Sequence, residues 1–262
     1  MKQDGGAGAM PLAEGGICLE GLSKRFGPLM AVRDLSITVP PGEIYGLIGP
    51  NGSGKTTTVK MLTGLYRPTA GRIFVSGVDL LAAPEHAKRA MGYIPDEPFI
   101  YDKLSGREFL HLMGELYGVR RTARASRIER LLEIFPLSAV IDTYIENYSR
   151  GNKQKLAILA ALLHEPRVLV VDEPVIGLDP ESTITVRELL RAFAARGGAI
   201  LVCTHTLAFA ERVCHRVGLL REGVLVQEGN LAVLREAAGL PDASLEGLYL
   251  HFTGRDGRGR GT

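Results

Sequence analysis

The stretch Gly49-Pro50-Asn51-Gly52-Ser53-Gly54-Lys55-Thr56 decides the fold of this chain. It matches the phosphate-binding P-loop pattern G-x-x-x-x-G-K-[ST] at every fixed position. Residues 44–48 before it (IYGLI) predict a short buried strand, and Thr57 to Leu65 after it predict a helix. Since strand, loop, Lys-Thr pair and helix occur together, the pattern favours a nucleotide-phosphate site over a glycine-rich turn that binds nothing.

The residue types of this loop suit an anion. Glycines let the backbone turn tightly and approach a phosphate without an intervening Cβ, and successive N–H groups at the helix start point toward negative charge. Lys55 is expected to reach the β- and γ-phosphates, and the Thr56 hydroxyl to ligate Mg²⁺. We therefore predict cofactor contacts from Gly49, Pro50, Asn51, Gly52, Ser53, Gly54, Lys55, Thr56 and Thr57.

The composition is that of an ordinary globular protein. The chain has 262 residues, 45% of them hydrophobic and 23% charged, with a formal net charge of +2. This balance gives no indication of a nucleic-acid partner. The longest apolar run, Leu156 to Leu163, is far shorter than the roughly 18 residues of a membrane-spanning helix. Three cysteines, Cys18, Cys203 and Cys214, have no paired spacing and are expected to be reduced.

The order of elements indicates an α/β chain with a helical insertion. A strand is predicted at Leu35 to Val39, and Val168 to Val171 is typical of a central parallel strand. Between Ser105 and Leu163, apolar residues recur with a spacing near 3.6, which predicts helices. We expect a helical subdomain at about residues 96–165. We expect residues 1–16 to be a disordered leader, residues 17–238 the main domain, and residues 239–262 an extension ending in a flexible basic tail.

Two further motifs carry candidate chemistry. In Val170-Val171-Asp172-Glu173-Pro174, two carboxylates follow a buried strand, where α/β sheets bind ligands. Asp172 suits an Mg²⁺ ligand and Glu173 a general base for an attacking water, although a solvated turn is the alternative. In Tyr148 to Gln154, Ser149 is a good N-cap for a helix predicted at Lys155 to Leu163. On its own, this second motif is better explained by ordinary capping.

Together these motifs resemble the nucleotide-binding subunits of ATP-binding cassette (ABC) transporters, from about Ile17 to Ala238. The resemblance implies an aromatic residue stacked on adenine, a Walker A loop, a Q-loop, a signature motif, a Walker B strand, a D-loop and a switch histidine. The corresponding positions here are Phe26; Gly49 to Thr56; Asp96; Ser149, Arg150, Gly151 and Asn152; Asp172 and Glu173; Asp179; and His205. The implied fold is a P-loop NTPase core with a mixed sheet, an N-terminal antiparallel β-subdomain and an inserted all-helical subdomain.

The sequence departs from the family pattern at several positions. Asp96 replaces the Q-loop glutamine, and it still offers an oxygen to Mg²⁺ or to water. Arg150 and Asn152 replace a glycine and a glutamine of the signature, and Phe26 replaces the commoner tyrosine. Residues 243–254 resemble the C-terminal run of the drug-exporter and sodium-exporter subgroup, which is a short match.

The resemblance implies an ATPase that drives export. Two copies would face each other head to tail, with ATP between the P-loop of one and the signature of the other. The partners are then a second nucleotide-binding subunit, most simply an identical one, and a separate membrane-spanning subunit. The chain is placed at the cytoplasmic face of the membrane and has no specific nucleic-acid partner. Catalysis is assigned to Glu173, His205, Lys55 and Asp96, and Mg²⁺ binding to Thr56, Asp172 and Asp96.

Two other functions remain open. One is a soluble cassette ATPase that acts on ribosomes or DNA, although such proteins usually carry two cassettes or a long coiled coil. The other is a regulatory cassette that binds ATP and hydrolyses it poorly. Asp96 and Arg150 motivate this reading, whereas Glu173 and His205 argue against it.

Overall fold

The computed structural model describes residues 15–254, so the predicted leader (except Gly15 and Gly16) and the predicted tail (except Gly254) lie outside the described residues. The strands are β1 (Ile17–Phe26), β2 (Leu29–Val39), β3 (Ile44–Ile48), β4 (Ala70–Val75), β5 (Val78–Asp79), β6 (Met91–Ile94), β7 (Val168–Asp172), β8 (Ala199–Thr204), β9 (Arg216–Arg221) and β10 (Val224–Gly229). The helices are α1 (Lys55–Leu62), α2 (Pro84–Arg89), α3 (Gly106–Leu116), α4 (Arg121–Leu132), α5 (Arg150–Leu162), α6 (Pro180–Ala195), α7 (Leu207–Val213), α8 (Leu231–Ala238) and α9 (Leu245–Phe252).

These strands form two sheets. Four strands form an antiparallel sheet in the order β2-β1-β4-β5, and six form a mixed sheet in the order β10-β9-β3-β8-β7-β6. In the larger sheet only the β9–β10 pair is antiparallel. The predicted fold class, with a mixed central sheet and an N-terminal antiparallel sheet, is therefore confirmed.

The central strands bring three chain segments to one edge of the sheet. Every residue of β3, β7 and β8 is buried, as expected of parallel strands covered on both faces. Because these strands run parallel, their carboxyl ends meet at the same edge, where α/β sheets bind ligands. The segments that follow there are the P-loop, Glu173 and His205.

The inserted helices α3, α4 and α5 lie between β6 and β7. Phe109 of α3, Ile128 of α4 and Leu159 of α5 belong to one buried cluster that also contains Leu169 and Val171 of β7. The helical insert therefore packs directly on the sheet. Its helices begin at defined caps: Ser105 and Glu108 form a capping box at α3, and the Ser149 hydroxyl accepts from the Asn152 N–H at α5.

Three predicted element bounds were wrong. Helix α1 spans Lys55–Leu62, not Thr57 to Leu65, because the Lys-Thr pair of the P-loop already belongs to its first turn and Gly64, with a left-handed backbone (φ 72°), follows the C-cap Thr63. Strand β2 begins at Leu29, not Leu35, because register shifts and the left-handed backbone of Asp34 (φ 47°) let an irregular sequence stay paired with β1. Helix α5 begins at Arg150, not Lys155, because capping by Ser149 starts the helix at the next residue. Because the first turn of α5 is polar, the spacing of apolar residues could not indicate where the helix begins.

The C-terminal helices close the larger sheet on one side. Leu245 and Leu248 of α9 pack with Leu234 of α8 and with Ala210 of α7 in a third buried cluster. Helix α9 lies beyond the boundary predicted at residue 239, yet it packs in the same cluster as helices that precede this boundary. The boundary itself stays a prediction. Within residues 15–254, no helix combines the length and the apolar character needed to cross a membrane.

Candidate nucleotide-binding site

The P-loop connects β3 to α1 through positions that only glycine fits. A Cβ on Gly49 would lie 2.4 Å from the Leu220 carbonyl oxygen. Gly54, the N-cap of α1, has a φ of 111°, and a Cβ there would lie 2.6 Å from the Ala31 carbonyl oxygen. Helix α1 thus starts at Lys55 with its first N–H groups directed at the loop, which is the arrangement that binds phosphate.

Lys55 is buried and bends back over the loop. Its Nζ donates to the carbonyl oxygens of Gly49 at 2.7 Å and of Pro50 at 3.1 Å. Burial lowers the pKa of this ammonium, and the nearby charges of Glu173 and Asp172 oppose that effect. The cation is thus held between the phosphate-binding loop and the two carboxylates.

A cleft of about 600 Å³ opens beside the P-loop. Its walls include Phe26, the predicted adenine-stacking residue, whose ring is 40% exposed and packs edge-on against Tyr66 at 5.4 Å. Thr56, the predicted metal ligand, is exposed in the same cleft. The sequence reading missed five other lining residues, which are Leu29, Met30, Ala31, Arg33 and Glu222. A hairpin predicted at Gly27-Pro28 would have indicated the first of them, since Leu29 pairs with Phe26.

A larger cavity, of about 1220 Å³, lies between α4, α6 and the end of α5. Arg127, Leu131 and Leu189 are among its lining residues, and none of the P-loop residues takes part. We therefore assign the nucleotide to the smaller cleft.

Asp172 and Glu173 are both buried at the end of β7. Burial raises the pKa of Asp172 to about 6, with further contributions from the neighbouring charges of Glu173 and Asp96. Lys55 and Lys60 act in the opposite direction. Burial and the neighbouring carboxylates thus outweigh the two lysines and disfavour the negative charge of Asp172.

Replacing Asp172 with asparagine is expected to stabilise the nucleotide-free protein at pH 7.5. A raised pKa means that the folded state holds the proton more tightly than the unfolded chain, so the charged carboxylate opposes folding above about pH 6. The difference from the ordinary carboxyl pKa corresponds to at most about 3 kcal/mol. Urea unfolding in EDTA at pH 7.5 and at pH 4.5 measures this effect.

The stabilisation should shrink at pH 4.5, where the wild-type carboxyl group takes up its proton. The exposed Asp242→Asn is the control for loss of one negative charge. An Asp172→Asn variant that is less stable than wild type at pH 7.5 would contradict this account of the site.

Glu173 has a left-handed backbone, with a φ of 48°. This conformation turns its carboxylate toward the end of β8. Oε1 accepts from the His205 N–H at 2.8 Å and lies 2.6 Å from His205 Nδ1, while Oε2 accepts from the Thr204 hydroxyl at 2.7 Å. The structure thus joins two predicted catalytic residues, Glu173 and His205, and adds Thr204, which the sequence reading missed.

The signature motif contacts the loop after β6, and not the P-loop cleft of the same chain. One face of α5 makes three contacts, at positions i, i+3 and i+4. Arg150 forms an ion pair with Asp96 at 3.8 Å, Lys153 one with Asp102 at 2.8 Å, and Gln154 Nε2 donates to the Pro95 carbonyl at 3.1 Å. The two departures from the family pattern, Asp96 and Arg150, are thus partners.

The predicted D-loop also lies beside α5. A Cβ on Gly177 would lie 3.1 Å from Arg150 Cδ, so the arginine stem passes close to this backbone. Asp179 is the N-cap of α6, where it accepts from the Ser182 N–H and hydroxyl, and it forms an ion pair with Lys155 at 3.3 Å. These bonds to Ser182, and then Lys155, hold the pKa of Asp179 well below its usual range.

Comparison with known proteins agrees with this geometry. The sequence profile described as "ABC transporter" matches residues 32–176. Nod factor export ATP-binding protein I of Burkholderia lata is 40% identical over 220 residues, covering 84% of this chain and 72% of that protein. The ABC-type transporter ATP-binding protein EcsA of Bacillus subtilis is 36% identical, over 86% of this chain and 91% of its own length.

A solved structure of an ATP-binding subunit of an ABC transporter superposes with a TM-score of 0.87. It is 36% identical, and the match covers 90% of this chain and 99% of that one. The profile match, these relatives and the P-loop cleft with its buried carboxylates lead to one conclusion. This chain belongs to the ABC transporter family, as an ATP-binding ATPase subunit.

Proposed function

We propose that this chain is the ATP-hydrolysing subunit of an exporter and that it works as a head-to-tail pair on a separate membrane-spanning subunit. The observation that carries this proposal is the meeting of Lys55, Asp172, Glu173 and His205 at one sheet edge, beside an open cleft. Burying a second carboxylate, that of Glu173, beside Asp172 is costly unless the site uses it.

The donor set fits Mg²⁺. Thr56 offers a hydroxyl in the cleft, Asp172 a buried carboxylate, and Asp96 an oxygen that is buried and accepts no hydrogen bond. Residues 15–254 contain no group of three or more His, Cys, Asp or Glu side chains suited to a metal. This is compatible with Mg²⁺, which keeps several waters and shares phosphate oxygens. When bound, the ion would neutralise charge on the β- and γ-phosphates.

The chain's own residues divide the reaction. Lys55 binds the β- and γ-phosphates, and Glu173 takes the proton of the attacking water. The ring of His205 has its Nδ1 on Glu173, which leaves Nε2 for the γ-phosphate. Phe26 stacks on adenine.

The second half of each site comes from the other copy in this proposal. Within one chain, Ser149 to Asn152 do not line the cleft that holds the P-loop. Ser149 and the N–H groups at the start of α5 form an anion site, which a partner's γ-phosphate would occupy, with Gly151 and Asn152 beside it. Asp179, at the start of α6, lies next to this surface through Lys155.

Replacing Arg150 with glycine is expected to lower ATPase activity, since the guanidinium is a charge-assisted donor to the partner's γ-phosphate. Arg150→Lys should keep part of the activity. Arg121→Gly is a matched control, since Arg121 is also an exposed first residue of a helix. The kcat and KM for MgATP measure the effect. A rise in activity would show that Arg150 obstructs the site, and no change would place it outside.

A membrane partner is supported by exposed aromatic residues. Phe99, Tyr101 and Tyr144 are among the most exposed large hydrophobic side chains, at 102%, 62% and 55%. Phe99 and Tyr101 lie in the loop that α5 holds through Asp96 and Asp102. A helix of a membrane subunit that bound this patch would therefore act on the signature motif. In this proposal the chain is peripheral, at the cytoplasmic face of the membrane.

Export is supported by two observations. The Burkholderia relative is named for export, of Nod factor, and residues 243–254 resemble the exporter subgroup. A regulatory cassette is the second candidate, since Glu173 already accepts bonds from Thr204 and His205.

Two measurements test the proposal. The purified chain should hydrolyse ATP only with a divalent cation, and it should recover a polytopic membrane protein from detergent-solubilised membranes. A chain that binds MgATP without turnover would favour the regulatory cassette. An active chain that recovers ribosomes or DNA instead would favour a non-transport ATPase.

A further inference from the structure

Thr204 is a completely buried hydroxyl residue at the end of β8. Its Oγ1 lies 2.7 Å from Glu173 Oε2, and the backbone N–H of Thr206 donates to the same Oγ1 at 3.0 Å. Because a backbone N–H can only donate, this bond uses an acceptor site of the hydroxyl. The hydroxyl hydrogen is left to point at Glu173, so Thr204 is a donor of fixed direction.

The two carboxylate oxygens of Glu173 have different numbers of hydrogen-bond partners. Oε1 faces two groups of His205, the backbone N–H and the ring Nδ1. Oε2 has Thr204 as its one hydrogen-bond donor among residues 15–254. A carboxylate has about four acceptor sites, two on each oxygen. The open site therefore lies on Oε2.

We propose that Thr204 is a positioning residue for ATP hydrolysis and that it makes Oε2 of Glu173 the oxygen that receives the proton of the attacking water. The inference rests on the proposed role of Glu173 as general base. In this step the water oxygen forms a bond to the γ-phosphorus, and the bond from that phosphorus to the β–γ bridging oxygen breaks. The water proton moves to Oε2, and ADP leaves with the electron pair.

The geometry gives Thr204 and His205 different tasks on the same carboxylate. His205 occupies both acceptor sites of Oε1, so this oxygen has none left for the water. Thr204 holds Oε2 with one bond and leaves its second acceptor site open. Loss of the Thr204 hydroxyl would leave the carboxylate held at Oε1 alone, so that Oε2 could shift, and a reacting group displaced by about 1 Å can lose about a hundredfold in rate.

The test compares four single variants, with MgATP turnover measured by single-turnover and steady-state kinetics. Thr204→Val keeps the shape and removes the hydroxyl, so kcat should fall by about tenfold to a hundredfold, with KM for ATP changed by less than about twofold. Thr204→Ser keeps the hydroxyl and should have a kcat close to that of the wild type. Thr204→Cys differs from Thr204→Ser by one atom, and its thiol is a weak hydrogen-bond donor. Its kcat should therefore be lower than that of Thr204→Ser. Thr253→Val removes another buried hydroxyl, which donates to Tyr249 O at 2.6 Å, and should keep wild-type kcat.

The same changes in a Glu173→Gln background separate positioning from a structural role. If Thr204 acts through the base, Thr204→Val should cause no further loss once the base is absent. An equal loss in both backgrounds would overturn the proposal, as would an unchanged kcat in Thr204→Val. If Thr204→Val does not fold, the comparison of Thr204→Ser with Thr204→Cys tests the proposal instead. Equal kcat values for these two variants would overturn the proposal.

Failure of the proposed function has a different signature. A Glu173→Gln variant with wild-type turnover would remove the general base itself, whatever Thr204 does. An inactive Glu173→Gln together with a fully active Thr204→Val would leave the base in place and refute only the positioning role.

Discussion

Glu173→Gln is expected to lower ATP turnover by about a hundredfold or more, the usual scale for loss of a general base. ATP binding should persist, because the P-loop and Lys55 are untouched. The amide keeps the size and shape of the side chain, and its oxygen can still accept from the His205 N–H. The change also removes a negative charge close to the γ-phosphate.

The variant should therefore stall with MgATP bound. If the chain pairs with itself, size-exclusion chromatography should show a dimer of Glu173→Gln in MgATP, and a monomer of wild type in MgADP. Glu236→Gln, on the exposed side of α8, is the matched control. Turnover at the wild-type rate would exclude Glu173 as the base. A stalled variant that stays monomeric would keep the chemistry and indicate a different cassette as the partner.

Lys55→Ala should abolish measurable ATP turnover and weaken MgATP binding by more than about a hundredfold, the scale of losing one partner of a buried charge pair. The ammonium lies over the P-loop, and its charge interacts with those of Glu173 and Asp172. Without it, phosphates would enter a cleft beside two carboxylates. The fold should survive, because β3 keeps its pairing with β8 and β9 on either side of it.

Calorimetric titration of MgATP and thermal unfolding together measure this prediction. Lys60→Ala is the control on the same helix, since Lys60 lies over the Tyr66 ring at 5.3 Å. Lys55→Arg tests whether charge alone is enough. Normal binding and turnover in Lys55→Ala would refute the P-loop assignment, and a loss of fold would make the lysine structural.

Much of the fold could be predicted from short, strongly patterned segments. The P-loop between a buried strand and a helix defines the core, and the apolar run of β7 places Asp172 and Glu173 at the edge of the sheet that binds ligands. The bounds of β2 and α5 could not be predicted well. Bulges keep β2 paired where its pattern is irregular, and the first turn of α5 is polar because it faces the loop after β6.

The candidate site was predicted where a motif has a fixed spacing and missed where it depends on tertiary contacts. Thr204 gives no signal in the sequence, because its partner Glu173 is 31 positions away and is brought close by strand pairing. The contact between Asp96 and Arg150 is equally hidden. The assigned roles of all these residues stay predictions.

The ion pair between Asp96 and Arg150 means that the two residues should be exchanged together when cassettes are recombined. Each residue departs from the family pattern of its own motif. The two side chains have opposite charges and form an ion pair at 3.8 Å. Loss of Arg150 alone would leave the Asp96 carboxylate without its counter-charge, although burial and the charge of Glu173 already raise the pKa of this group and Arg150 lowers it. A chimera between cassettes should therefore exchange both residues or neither.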